Sequence, residues 1–284
     1  MENIDPLAAY RLGLAILLII LIGIVVDIIL VSSFWEKRPW LLRRKRAPVT
    51  WQTRDMAWLC AGLFVIYLFA NTISYLLGKL ITGSDIFWPR VIAMAGNTAV
   101  YILGCGFIIY YLKTNCHNGL FSLGLRWRSW WSGACRSALA YLGFIPFLFL
   151  LSYIGFLLCS SLGIDPEPHQ LIALLKQEQP WWYAGYLLVI AVFIAPVFEE
   201  ILFRGVFYQW LKKKWGLPGA VVLSSGFFSL LHFNAVQFLP VMGLGMLLCF
   251  IFEYTGSLLP AIMIHILNNG VFLGLFLLLK SYYI

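Results

Sequence analysis

The chain has 284 residues, of which 62% are hydrophobic and 11% charged, and its mean hydropathy is +0.87. A soluble domain of this length carries far more charge, so the composition excludes one and selects a membrane protein. The net charge of +8 would suit nucleic acid, but the basic residues stand in short clusters beside apolar runs, as topology signals do, and a nucleic-acid partner is set aside.

In chain order, the apolar runs predict about eight spans: Leu7–Val31, Met56–Ile81, Val91–Leu112, Ala138–Leu162, Tyr183–Leu211, Ala220–Leu239, Val241–Tyr254 and Leu258–Leu279. Most approach the ~20 residues that cross a hydrocarbon core. The seventh is short, as a tilted, bent or merged helix would be. The first run lacks a basic leading region and a small-residue cleavage site, so it reads as a retained helix and not as a signal peptide. The six cysteines lie mostly in apolar stretches without a C-x-x-C pair and read as packing residues.

The loops set the orientation. Lys37, Arg38, Arg43, Arg44, Lys45, Arg46 and Arg54 fall between the first and second spans. Lys113, Arg126, Arg128 and Arg136 fall between the third and fourth, and Lys212, Lys213 and Lys214 follow the fifth. With eight spans all of these lie on one side, which the positive-inside rule makes cytoplasmic, with both termini outside. The loop from Gly163 to Trp182 lies opposite, with Asp165, Glu167 and Glu178 against Lys176. The tryptophan-rich basic segments Trp35–Trp51 and Trp127–Trp131 suit the headgroup level, where anionic lipid attracts them. The N-terminal spans, residues 1–182, carry no motif. The four from 183 to 279 carry nearly all the polar groups, and both parts form one integrated membrane domain.

An ionisable group inside a span costs roughly 2.5–3.5 kcal/mol on insertion scales and persists where it pairs, lines a cavity or works. Asp27, near the end of span one, and Glu253, near the end of span seven, read as structural or interfacial. The others concentrate in spans five (Glu199, Glu200, Arg204), six (His232, with Asn234 nearby) and eight (His265, Asn268, Asn269). Polar helix glue explains one such histidine or asparagine, but not their gathering on three spans. The expected architecture is therefore all-α: a polytopic bundle around an intramembrane polar cavity.

Spacing refines this picture. Glu200 and Arg204 are i, i+4 and share a helix face, while Glu199 points about 100° away. His265 and Asn269 are also i, i+4, and so are Phe228 and His232, which places an apolar wall beside an imidazole. At 1.5 Å per residue, Glu199 and His232 lie about 20 Å from the cytoplasmic end and His265 about 10 Å, which fits a cavity open to the cytoplasm. A glutamate and a histidine aimed at one water form a general-base site, and a histidine and an asparagine donating together hold an oxyanion. Glu199, His232, His265 and Asn269 supply both functions for peptide hydrolysis without a serine nucleophile. Glu199, His232 and His265 would also suit zinc, although the H-E-x-x-H pattern is absent.

Glu199-Glu200-Ile201-Leu202-Phe203-Arg204 has the form EExxxR, Phe228-Ser229-Leu230-Leu231-His232 the form FxxxH, and His265-Ile266-Leu267-Asn268-Asn269 the form HxxxN. In order and separation this set resembles the CAAX prenyl protease and bacteriocin-processing family of intramembrane peptidases. The resemblance implies an endopeptidase that cuts near the membrane-anchored, prenylated end of a protein or peptide. It assigns water activation to Glu199 and His232, the oxyanion to His265 and Asn269, and support to Glu200, Arg204 and Phe228. It leaves open whether a metal takes part. Two rival classes stand beside it. A transporter also buries carboxylates, but no inverted repeat relates the two halves. A scaffold, sensor or immunity protein of the same fold need not keep every reactive group.

Overall fold

The computed structural model describes residues 13–14, 17–26, 28, 49–81, 87–116, 119–125, 130–164, 170–177 and 180–283, and every regular element among them is helical. The helices are α1 (Leu17–Val26), α2 (Thr53–Leu80), α3 (Phe87–Asn115), α4 (Gly119–Ser122), α5 (Trp130–Ser161), α6 (Gln170–Lys176), α7 (Trp181–Leu230), α8 (Phe238–Thr255) and α9 (Leu258–Tyr283). Six of them are long and apolar enough to cross a membrane, so the protein is an integral, multi-pass membrane protein. Asp27, the basic cluster from Lys37 to Arg46, Arg126, Arg128, Asp165, Glu167 and Glu178 lie outside the described residues. So does most of the first expected span, of which α1 is the described part.

Among the described residues the count is six against the expected eight: most of the first expected span lies outside them, and at α7 two expected spans run on as one helical path of 50 residues. Such a path is about 75 Å long, more than twice a hydrocarbon core of ~30 Å. It is not straight. Gly216 breaks it with φ 70° and ψ −175°, a backbone conformation that essentially only glycine adopts, and Pro218 follows two residues later. The arm after the break stops at Leu230, well short of the expected Leu239, and α8 begins at Phe238 where the sixth span was expected to continue. That arm is only about 21 Å long, so it turns back before a full crossing.

α8 is the most enclosed span: half of its apolar window is buried, against 17% for α2 and α3. The large side chains of α2 and α3, among them Phe64, Phe69 and Ile102, face outward, as a lipid-facing surface requires. At its N-terminus α2 is held by a reciprocal cap in which the Gln52 amide donates to Asp55 Oδ2 at 2.7 Å. Asp55 Oδ1 accepts the Tyr111 hydroxyl at 3.0 Å and ties α2 to α3. α5 packs on α8 and α9 through Tyr141, Ile145, Leu248 and Ile264, and α3 meets α7 through the Tyr101–Phe198 ring pair at 5.4 Å. The enclosed middle of the bundle is thus α7, α8 and α9, walled by α3 and α5.

Candidate active site

The site begins with an irregularity in α7. Two π-helical stretches, Ile190–Ile194 and Ile201–Phe207, flank the α-helical turn Ala195–Glu200 that carries both glutamates. Each π turn inserts a residue, widens the helix and leaves carbonyls without their usual donors, a feature common at functional sites. Glu200 and Arg204 are fully buried. Arg204 Nη1 donates to Glu200 Oε1 at 2.7 Å, as their spacing predicted, and Nη2 donates to the Gly245 carbonyl of α8 at 3.3 Å. The second bond needs a close approach: a Cβ on Gly245 would lie 2.9 Å from Ser225 Cβ. The guanidinium also lies 4.4 Å above the Phe228 ring, a cation–π contact in a desolvated site.

His265 of α9 connects this buried pair to the other glutamate. Its Nδ1 lies 2.9 Å from Glu200 Oε1 and its Nε2 3.6 Å from Glu199 Oε2. The Arg204-bound carboxylate is an acceptor, so Nδ1 carries the proton and donates. Glu199 is 22% exposed where Glu200 is sealed, so the adjacent carboxylates do face different surroundings, one able to meet water and one not. The spacing had paired His265 with Asn269. Its direct bond to Glu200 was not readable, because it depends on how α9 lies against α7.

His232 requires a correction. It was expected on the face of a sixth helix but stands past the end of that arm, in the turn from Leu231 to Gln237. The early stop at Leu230 causes this. Its Nδ1 lies 2.8 Å from the Phe228 carbonyl, which can only accept, so the proton is on Nδ1 and the lone pair on Nε2. The Phe228 ring meets His232 edge-on at 4.8 Å and His265 at 5.6 Å, so one phenyl ring spaces both imidazoles and the guanidinium. Ser229 Oγ donates to the Phe238 carbonyl at 2.6 Å and the Gln237 amide donates to Asn234 Oδ1 at 3.0 Å, closing the turn. Phe233, next to His232, takes φ 47°, which is unusual for a bulky residue.

Asn269 donates from Nδ2 to the Ala191 carbonyl at 2.9 Å, inside the first π stretch. Asn268 donates to Asn269 Oδ1 at 3.2 Å and accepts the Tyr141 hydroxyl of α5 at 3.2 Å. The sequence marked Asn268 as one of the polar residues of span eight without giving it a role, and Tyr141 carried no signal in an apolar run. Glu253 fits the structural reading: its Oε1 accepts Lys212 Nζ at 2.6 Å and the Tyr208 hydroxyl at 2.9 Å, clamping α8 to α7. All six cysteines are free thiols. Among the described residues no three His, Cys, Asp or Glu side chains gather to hold a metal ion, and Glu199, His232 and His265 form no such set.

A multi-pass helical membrane protein that buries a Glu–Arg–His cluster where three enclosed helix segments meet is the class that fold and geometry define. Residues 180–271 match the family described as "Type II CAAX prenyl endopeptidase Rce1-like". Over these residues, about a third of the chain, the sequence is similar to the Rce1-like family, which is a family of endopeptidases. The matched stretch contains all three motifs and both π segments, and it leaves α2, α3 and α5 outside. No curated protein and no solved structure matches the chain.

Proposed function

We propose that the protein is a glutamate-dependent intramembrane endopeptidase that hydrolyses a peptide bond near the prenylated, membrane-anchored end of its substrate, in a cavity open to the cytoplasm. The observation that carries this reading is the His265 ring held between two carboxylates, Nδ1 on Glu200 at 2.9 Å and Nε2 facing Glu199 at 3.6 Å. Glu200 is bound by Arg204 and sealed. Glu199 is the acid that water reaches.

The chemistry follows from those positions. Glu199 takes a proton from water, and the Nε2 lone pair of His232 orients that water. The hydroxide adds to the substrate carbonyl carbon, and the oxygen of that carbonyl becomes an oxyanion. Asn269 uses one Nδ2 hydrogen on Ala191 and keeps a second for the oxyanion. His265 donates from Nε2 when that atom is protonated. Arg204, Glu200, His265 and Glu199 then sum to no net charge. The sum stays zero when Glu199 is protonated and the oxyanion forms, so no uncompensated charge develops in a low dielectric. The intermediate collapses as the C–N bond breaks, and the leaving amine takes the proton from Glu199. No step passes through a metal.

The test uses purified protein in detergent and a peptide ending in a farnesylated CAAX tail. Glu199→Ala abolishes release of the tail while thermal unfolding is unchanged, and native membranes with wild-type chain release peptides that this variant does not. Asn269→Ala lowers kcat by roughly 10²–10³, the loss typical of an oxyanion donor, with KM little changed. Undiminished turnover by Glu199→Ala removes the mechanism, and a wild-type chain that cuts nothing favours a scaffold of the same fold.

A further inference from the structure

We infer that Tyr141 and Asn268 are positioning residues of the active site, forming with Asn269 a hydrogen-bond relay of fixed direction that aims the Asn269 amide at the oxyanion. The inference rests on the hydrolase reading above and extends it to a part of the chain outside the matched segment.

The relay starts at a carbonyl made available by the backbone. In a regular helix the Ala195 N–H would bond the Ala191 oxygen. In the first π stretch it bonds Ile190 instead. The next candidate donor, residue 196, is proline and has no N–H. The Ala191 carbonyl is therefore left to a side chain, and Asn269 Nδ2 takes it at 2.9 Å. The combination of a π register with a proline is what reserves this acceptor for α9.

Direction then propagates. A carbonyl only accepts, so Asn269 must present nitrogen to Ala191 and oxygen to the other side. That oxygen needs a donor, and Asn268 Nδ2 supplies it at 3.2 Å. Asn268 must therefore present its own oxygen away from Asn269, where the Tyr141 hydroxyl donates to it at 3.2 Å. Reversing the Asn268 amide would set two oxygens face to face. Each bond thus fixes the orientation of the next, and bonds in such a chain polarise one another in a low dielectric. Tyr141 is itself 3% exposed and packed between α8 and α9, so its hydroxyl is held at the end of the relay. With the oxygen of Asn269 held by Asn268 and one Nδ2 hydrogen on Ala191, the planar amide fixes the direction of the second hydrogen. General helix glue would need bonds but no particular polarity.

The experiment measures kcat and KM on the farnesylated CAAX peptide for the full chain and for Tyr141→Phe, Asn268→Asp, Asn269→Ala and Tyr141→Phe/Asn269→Ala, with thermal unfolding in parallel. Tyr141→Phe lowers kcat roughly 10- to 100-fold with KM held within about twofold, the penalty for loosened aim at a reacting centre. In the Asn269→Ala background the same change costs nothing further, because Tyr141 acts through Asn269. Asn268→Asp keeps the size and the acceptor for Tyr141 but sets an acceptor against Asn269, and it lowers kcat at least as far. Should Tyr141→Phe fail to fold, Asn268→Asp carries the test. Wild-type kcat in both variants, or an equal loss from Tyr141→Phe with and without Asn269, overturns the inference and leaves the hydrolase reading standing. An unaltered chain that does not turn the peptide over overturns that reading and this inference with it.

Discussion

Arg204 does three things at once: it neutralises Glu200, it reaches the Gly245 carbonyl, and it rests on Phe228. A lysine could supply the charge but not the two separate nitrogens or the flat face. Arg204→Ala leaves the buried Glu200 carboxylate with only His265 as a partner, and we expect a loss of about 3–5 kcal/mol in stability, read by thermal or denaturant unfolding in detergent. Replacing both partners, as Glu200→Gln with Arg204→Met, should restore most of that stability, since a buried pair contributes little net stability beyond well-packed neutral residues. The double variant should be inactive, because the neutral pair no longer supplies the negative charge of Glu200 beside the His265 ring. Recovery of turnover along with stability would show that the pair serves only the fold.

At the level of elements, the site depends on two departures from the regular helix. The first π stretch of α7 opens the Ala191 carbonyl, and the break at Gly216 lets the second arm return toward α8. A side chain at Gly216 would be strained in its φ 70° conformation, so Gly216→Ala should cost about 1–3 kcal/mol in unfolding measurements. Gly245→Ala acts differently. Its Cβ would meet Ser225 of the second arm at 2.9 Å, forcing α7 and α8 apart where Arg204 reaches across. Overpacking of this kind costs about 1–3 kcal/mol, and here the Arg204–Gly245 bond should lengthen with it, so kcat should fall more than the stability loss alone explains. Equal activity per folded molecule would show that the close approach serves packing only.

At the scale of the molecule, the α7–α8–α9 assembly holds the candidate site and α2, α3 and α5 stand around it. The charges that frame the assembly predict its sidedness. Lys212, Lys213 and Lys214 precede the Gly216 break, and Ile164 follows α5 in the opposite loop. In a chain whose six native cysteines are replaced, Lys213→Cys should resist an impermeant maleimide in intact cells and react once the membrane is opened, while Ile164→Cys should react in both. The reverse pattern would place the cavity mouth on the outer side and end the cytoplasmic assignment.

The amino-acid sequence alone determined that the protein is a multi-pass helical membrane protein, and it named the candidate residues of the proposed site. Apolar runs near the length of a bilayer, together with the cost of a charge in lipid, are local properties that composition and spacing express. So is the i, i+4 pairing of Glu200 with Arg204, which a single helix turn contains. Three things became visible only in the folded chain. His232 sits in a turn because the second arm of α7 ends early, and nothing in its apolar neighbours marks that end. His265 bonds Glu200, which lies 65 residues earlier in the sequence. Tyr141 lies in an uninterrupted apolar run, and its hydroxyl meets a partner only because α9 brings Asn268 against α5. Hydrophobic periodicity reports which segments leave water, but contacts between them depend on helix register and break points, and tertiary packing decides those.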